Sequence, residues 1–257
     1  MTQSSFNWAT GGIAANVATS ATTMGYGLAA MTLNGLPGFS DNKTLDGGNG
    51  IDTVDYRDNY LAASLGIDAS LVRGNVKLGA GVDLLTGIEN LGGTDADDTL
   101  TGDANANRLL GYGGNDILSG GKGDDILIGG TGNDTYLFNQ GDGADTISDY
   151  DAKGGNIDLL NFGSGIASDQ LWFQHVGNNL EIGVIGTSDK TTIENWYLGS
   201  AYQVERIKAG DAKTLANSDV EKLVQAMASF TAPASGTTVL PPAYQTALAP
   251  TLAANWH

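Results

Sequence analysis

Between residues 93 and 137 the inward-type apolar positions recur every nine residues, a period that fits neither an amphipathic helix nor a plain strand. The stretch divides into five units in register: GTDADDTLT, GDANANRLL, GYGGNDILS, GGKGDDILI and GGTGNDTYL. Gly93, Gly102, Gly111, Gly120 and Gly129 open them. The sixth position holds Asp98, Asn107, Asp116, Asp125 and Asp134, and the eighth holds Leu100, Leu109, Leu118, Leu127 and Tyr136. Each unit reads as a six-residue turn followed by a three-residue strand. Strand side chains alternate, so the eighth position points inward and its neighbours outward. Glycine at positions one, two and four permits φ > 0 and lets successive backbones approach closely. Two units make one coil, with a strand on each side, and unit n stacks on unit n+2 at roughly 4.8 Å. The expected class is all-β: a parallel β-roll capped by a small antiparallel β-block, with a C-terminal helix.

This stacking predicts which acids meet. Asp98 faces Asp116 and Asp116 faces Asp134 on one edge; Asn107 faces Asp125 on the other. Asp125 then faces Asp145 from a looser sixth unit, residues 140–147, with Phe138 and Asn139 lengthening the strand before it. Backbone carbonyls of stacked turns line a narrow gap between them. A hard cation such as calcium, which takes six to eight oxygens in flexible geometry, suits that gap. The expected ligands are Asp98, Asn107, Asp116, Asp125, Asp134 and Asp145, with the turn residues Gly111, Gly113, Gly114, Gly121, Gly123, Gly130, Gly132, Gly141 and Gly143. Asp116 and Asp125 each serve two sites. The Asn107 site is expected to be the weakest, because its unit lacks glycine at positions two and four and has Asn for Asp. A separate unit, residues 47–55, offers Gly48, Gly50 and Asp52 in the same pattern. Residues 87–92 precede the first perfect unit in frame, with Glu89 sixth and Leu91 eighth, and read as a degenerate coil.

The flanks carry other periods. Residues 1–46 are rich in Ala, Thr and Gly. Longer strands are expected over 62–72, 74–78 and 82–91. The repeats stop after Asp151, where a β-rich capping block over 152–215 begins. Ile157–Phe162 reads as a buried strand; Leu171–Val176 and Leu180–Ile185 flank Gly177-Asn178-Asn179 as a hairpin. Thr191–Trp196 and Tyr202–Ile207 continue as strands. This block holds Trp172, Phe173, Trp196 and Tyr197 and can bury a core that closes the open end of the roll. Ser218-Asp219-Val220-Glu221 reads as a capping box. Val220, Leu223, Val224, Met227 and Phe230 come next at helical spacing, so residues 219–230 form a helix packed on the β-block. Pro233, Pro241 and Pro242 mark a linker to an apolar, alanine-rich tail.

Charge sharpens this picture. Lys and Arg number 12 against 29 acids, a formal −17 over 257 residues. Nucleic acid and anionic membrane surfaces both require a basic footprint and are excluded as partners. The imbalance is local: residues 93–151 hold 12 Asp, no Glu, and only Arg108 and Lys122 as cations. One inward apolar residue in nine cannot offset the ordering of such a stretch. The repeats should therefore be unfolded without metal and fold on taking calcium. No stretch is long and apolar enough to span a membrane, and there is no cysteine. The N-terminus shows no basic region followed by an apolar run, hence no evident signal peptide.

Residues 111–137 closely resemble the RTX (repeats-in-toxin) family of calcium-binding proteins. The segments IENWYLGSAYQVERIKAGD (193–211) and VEKLVQAMASF (220–230) are similar to the region downstream of the repeats in haemolysin-type members, so the resemblance covers about 47–257. It implies a Gram-negative exoprotein, secreted or held at the cell surface. It also implies the type I secretion machinery as partner, engaged through an uncleaved signal within 216–257. The implied device is a folding switch: extended at low cytosolic calcium, folded in the millimolar calcium outside.

Catalysis within the chain is not expected. His175 and His257 are the histidines; there is no H-E-x-x-H, no G-x-S-x-G and no cysteine nucleophile. His175 reads as a strand residue, and the acids are accounted for as turn ligands. The competing functions are the anchoring or assembly part of a calcium-dependent adhesin or surface-layer protein, with self-assembly on the cell surface, and the non-catalytic tail of a secreted protease, lipase or epimerase.

Overall fold

The computed structural model describes residues 32–34, 44–57, 65–79, 81–151, 155–237 and 239–257. Most of the N-terminal Ala/Thr/Gly-rich segment lies outside the described residues.

Two facing stacks of strands form the molecule, a nine-stranded and a ten-stranded sheet among the described residues. The repeat strands alternate between them, as the nine-residue period requires. Thr99–Thr101, Ile117–Ser119 and Thr135–Phe138 pair in parallel in one sheet. Asn90–Gly92, Arg108–Gly113, Ile126–Thr131 and Ala144–Ile147 pair in parallel in the other. The eighth-position residues therefore stack in register. One column runs Ala69, Leu100, Leu118, Tyr136, Leu160, Ile207. The opposite column runs Val54, Leu91, Leu109, Leu127, Ile147, Ile193. Every member is at most 2% exposed. The parallel β-roll expected from the repeats is thus present, and its interior is two residues wide.

The parallel stacking continues past the last regular unit. Leu159–Phe162 pairs in parallel with Thr135–Phe138, and Arg206–Lys208 pairs in parallel with Leu159–Phe162. Lys190–Ile193 pairs in parallel with Ala144–Ile147. The coil needs an inward apolar residue more than it needs the glycine turn, and Leu160, Ile193 and Ile207 supply it. The antiparallel hairpin Leu171–Val176 and Asn179–Val184 then covers the edge of Lys190–Ile193.

Several expectations upstream are revised. The described part of 62–72 forms a strand over Asp68–Ser70 alone, followed by a turn. The strand expected over 82–91 is broken into Gly81–Thr86 and Asn90–Gly92, with Gly87 at φ 59° between them. Downstream, Thr191–Trp196 is a strand only to Ile193, and Ser200–Tyr202 is a turn of 3-10 helix. The helix α1 spans Asn217–Met227, so Ser218 lies inside it rather than capping it. Its buried face, Val220, Leu223, Val224 and Met227, packs on the hairpin, and the Phe173 N–H meets Met227 Sδ at 3.1 Å. Pro241 and Pro242 open a second helix, α2 (Pro242–Asn255), instead of ending a linker. Proline at the first helical position needs no N–H partner there. Trp256 packs near Phe173, and His257 exchanges backbone hydrogen bonds with Thr214.

The glycines divide by physical role. Gly130 (φ 108°) and Gly132 (φ 134°), at positions two and four, combine left-handed backbone with close approach to the turn below. A Cβ on either would collide with a carbonyl, that of Tyr112 or of Gly114. The position-one glycines, by contrast, are not at positive φ. They are glycine for space: a Cβ on Gly111 would overlap Asp116 Oδ2 and crowd the Gly129 carbonyl. Tyr112 takes the position-two conformation at φ 75° without being glycine. Its hydroxyl donates to Asp55 Oδ2 at 2.7 Å and Arg57 lies over its ring, which ties the isolated unit 47–55 to the roll.

These roles predict different costs. Gly111→Ala should destabilise the calcium-saturated chain by about 1–3 kcal/mol, the usual range for overpacking. Gly113→Ala, whose Cβ would come closest to the rotatable Thr131 hydroxyl at 3.2 Å and otherwise make ordinary contacts, should cost less. Urea unfolding of both variants in saturating calcium measures the difference; equal costs would contradict the division.

Candidate metal centres

Each sixth-position side chain reaches one coil down the stack. The Asp98 N–H donates to Asp116 Oδ1 at 2.8 Å, and the Asp116 N–H to Asp134 Oδ1 at 2.8 Å. On the other edge the Asn107 N–H donates to Asp125 Oδ1 at 2.7 Å, and the Asp125 N–H to Asp145 Oδ1 at 3.1 Å. The pairs expected from the spacing are thus joined directly, carboxylate to backbone. One ladder goes further than the repeats: the Asp134 N–H donates to Asp158 Oδ1 at 2.7 Å and the Asp158 N–H to Glu205 Oε2 at 2.9 Å. In the isolated unit, the Asp52 N–H donates to Glu89 Oε2 at 2.8 Å, and Gly47 sits against the Gly87 carbonyl. Asp158 and Glu205 were not among the expected site residues. The signal for them was present: each stands two residues before an inward apolar residue, Leu160 or Ile207, as in every repeat.

Around these ladders the turn glycines pack as stacked backbone. Gly48, Gly50, Gly114, Gly121, Gly123, Gly130, Gly132, Gly141 and Gly143 all have positive φ; Gly111 and Gly113 do not. A second ladder runs at position five, where the Asn115 N–H donates to Asp97 Oδ1 at 2.6 Å and the Asn133 N–H to Asn115 Oδ1 at 2.9 Å. It lies on the exposed side. Asn107 behaves differently from the aspartates. Its amide Nδ2 donates to the Glu89 carbonyl at 2.8 Å, and its Oδ1 accepts from the Asp103 N–H at 2.7 Å.

The remaining oxygens carry the chemistry. Oδ2 of Asp116, Asp125, Asp134 and Asp145 is buried and accepts no hydrogen bond. These four residues are each 1% exposed. None of the ion pairs among the described residues includes a sixth-position acid. Burial, and then the neighbouring aspartates, push the carboxyls of Asp116 and Asp145 up to about 8, against the one backbone hydrogen bond that each accepts. Burial likewise lifts Asp98, Asp125 and Asp134 to about 6. A buried carboxylate oxygen with no donor and no counter-charge is costly. A cation held between the turns removes that cost, and an all-oxygen donor set suits calcium.

His175 stacks on Tyr197 with ring centroids 3.5 Å apart, on an exposed strand end. No helix of the described residues is long and apolar enough to cross a membrane.

Comparison with known proteins agrees with this chemistry. A family model described as the RTX calcium-binding nonapeptide repeat (4 copies) matches residues 83–117, 92–127, 101–136 and 110–143. A second, the haemolysin-type calcium binding protein related domain, matches 179–211. The iron-regulated protein FrpA of Neisseria meningitidis serogroup C is 36% identical over 93 residues, which are 35% of this chain and 8% of that protein. The chain therefore spans a small part of that relative's length. The extracellular lipase LipA from Serratia marcescens aligns over 63% of this chain and 34% of its own, at 16% identity and a TM-score of 0.25. Residues 83–143, with their stacked glycine turns and buried carboxylate ladders, match the RTX calcium-binding nonapeptide repeat, and these matches support a calcium-binding RTX module in this part of the chain.

Proposed function

We propose that several calcium ions lie between the stacked turns, held by Asp98, Asp116 and Asp134 on one edge and by Asn107, Asp125 and Asp145 on the other. Turn carbonyls complete each shell, and Asp52 with Glu89 serves the isolated unit. The observation that carries this reading is the set of buried, unpartnered Oδ2 atoms on Asp116, Asp125, Asp134 and Asp145. When bound, calcium supplies the positive charge that these oxygens lack. The chain's own residues fix the spacing: glycine keeps the turns close, and the inward columns hold the register.

The function we infer is a folding switch for export. Without calcium the ladders repel and the repeats stay extended, which suits passage of this chain or a larger passenger through a type I secretion machine. Outside the cell, calcium binds only the folded form and so stabilises it by mass action. Extracellular modules of this kind have affinities of about 10⁻⁴–10⁻³ M, matched to millimolar calcium. The hairpin and α1, where large aromatic and aliphatic side chains are buried, provide a folded end from which the roll grows. The setting that fits is the exterior of a Gram-negative bacterium. Calcium-dependent self-association in light scattering would favour an anchoring or surface-assembly role instead.

Ligands shared by two gaps should matter more than terminal ones. Asp116→Ala and Asp125→Ala should each raise the calcium midpoint of folding more than Asp145→Ala, read by far-UV circular dichroism. The opposite order would refute the stacked-site scheme.

Acid should act in opposite directions with and without metal. The raised carboxyl pKa values, about 6 to 8, mean that the metal-free folded chain binds more protons than the unfolded chain above the ordinary aspartate range. In chelator, stability should therefore fall as pH rises through that window, and β content should be greater at about pH 5 than at pH 8. In calcium, protons compete with the ion, so the midpoint should rise as pH falls. Circular dichroism across pH in both conditions checks the pair of signs.

A further inference from the structure

Asp149 falls outside the repeat ligands but inside their architecture. Ile147 is the inward residue of the sixth unit and Ser148 comes after it, so Asp149 stands at position one of the next turn, where the five regular units have glycine. The turn is lengthened before Asp158 takes the sixth position. In the regular units that place is kept free of side chain because the sixth-position carboxylate folds over it. Here a carboxylate occupies it.

The consequence is a cluster. Asp134, Asp149 and Asp158 each offer a carboxylate oxygen, and these oxygens lie within 4.8 Å of one another. All three residues are at most 2% exposed. Asp149 Oδ2 and Asp134 Oδ2 are buried and accept no N–H or hydroxyl hydrogen bond, and the Asp149 and Asp158 carboxyl groups face each other. Two further oxygens are committed: Asp149 Oδ1 accepts the Tyr136 hydroxyl at 3.0 Å, and Asp158 Oδ1 accepts the Asp134 N–H at 2.7 Å. The Tyr136 hydroxyl itself accepts the Gly129 N–H at 3.1 Å, so the phenol holds Asp149 against the preceding turn. A cavity of about 280 Å³ opens beside the cluster, lined by Asp149, Asp151, Asp158, Gln203 and Glu205 and by no Lys or Arg.

We propose that Asp134, Asp149 and Asp158 form a separate tricarboxylate site for a large hard divalent cation of the calcium class, at the junction of the roll with the C-terminal block. It differs from the turn sites in kind. Three carboxylates converge instead of two, and the cavity admits the waters that complete a shell of six to eight oxygens. It also ties parts of the chain together. Asp149 leaves the strand Ala144–Ile147 of one sheet, while Asp134 and Asp158 lead into Thr135–Phe138 and Leu159–Phe162 of the other. The Asp151 N–H bonds to the Ala201 carbonyl, which links the same turn to the C-terminal block. The site rests on the reading that this chain takes calcium, and deepens it.

Two variants separate charge from hydrogen bonding. Asp149→Asn keeps an acceptor for Tyr136 and removes the charge; Tyr136→Phe removes the phenol and keeps the carboxylate. With calcium as the probe, ions per full-length chain are counted by atomic emission and titrated by calorimetry. Asp149→Asn should bind one calcium fewer than the parent chain, and Tyr136→Phe should keep the full number. An unchanged count in Asp149→Asn, or an equal loss in both variants, overturns the proposal. Crystals of the parent chain soaked in terbium make the test independent of variant folding. An anomalous peak within about 2.6 Å of all three carboxylates supports the site. Peaks between the turns with none at this cluster overturn it while leaving the turn sites standing. A parent chain that binds no calcium at all would sink the folding switch as well.

Discussion

Like-charged carboxylates stacked in a column, out of water and without a counter-charge, are the constraint on which the rest of this molecule depends. Asp98, Asp116, Asp134 and Asp158 stand one above another, each accepting a backbone N–H from the preceding coil on Oδ1, and Asp98 alone of the four also accepts its own turn's Thr94 N–H on Oδ2. Folding the chain brings these charges together, and nothing else in the roll offsets them. Its interior is two columns of single side chains, too thin to order long glycine turns by hydrophobic burial alone. In the proposed reading, divalent cations between the turns would turn that repulsion into attraction, and calcium dependence would follow from the fold itself.

The C-terminal part is built on the opposite principle. Trp172, Phe173, Ile182, Leu223 and Met227 are buried together where the hairpin meets α1, and Trp256 closes over Phe173. A unit with such a core can order without metal and offer a paired edge to the first coil. The roll continues into it through parallel strands, so growth can proceed by adding coils to a preformed edge. The two halves thus divide the labour between apolar burial and ion binding.

Much of this was legible in the sequence because one rule repeats: a carboxylate or amide two residues before an inward apolar residue. That offset marks Asp116 with Leu118, and equally Asp52 with Val54 and Glu89 with Leu91. It also marks Asp158 with Leu160 and Glu205 with Ile207, which were hidden because their turns lack glycine at positions one and four. Position-one glycine was legible as a residue but not as a reason; only the folded carboxylate above it reveals a demand for space, not for φ. Asp149 was illegible because a lengthened turn broke the nine-residue count. Pro241 and Pro242 read as a linker but open α2, a helix whose Leu248 is buried, as is Trp256 just after it.

The most direct test is hydrogen exchange across residues 93–147, measured by mass spectrometry in chelator and in millimolar calcium. Amides of the repeat strands should exchange freely in chelator and be strongly protected in calcium, while those of 171–184 stay protected in both. Equal protection of the repeat strands in the two conditions would show that the roll holds itself together without ions.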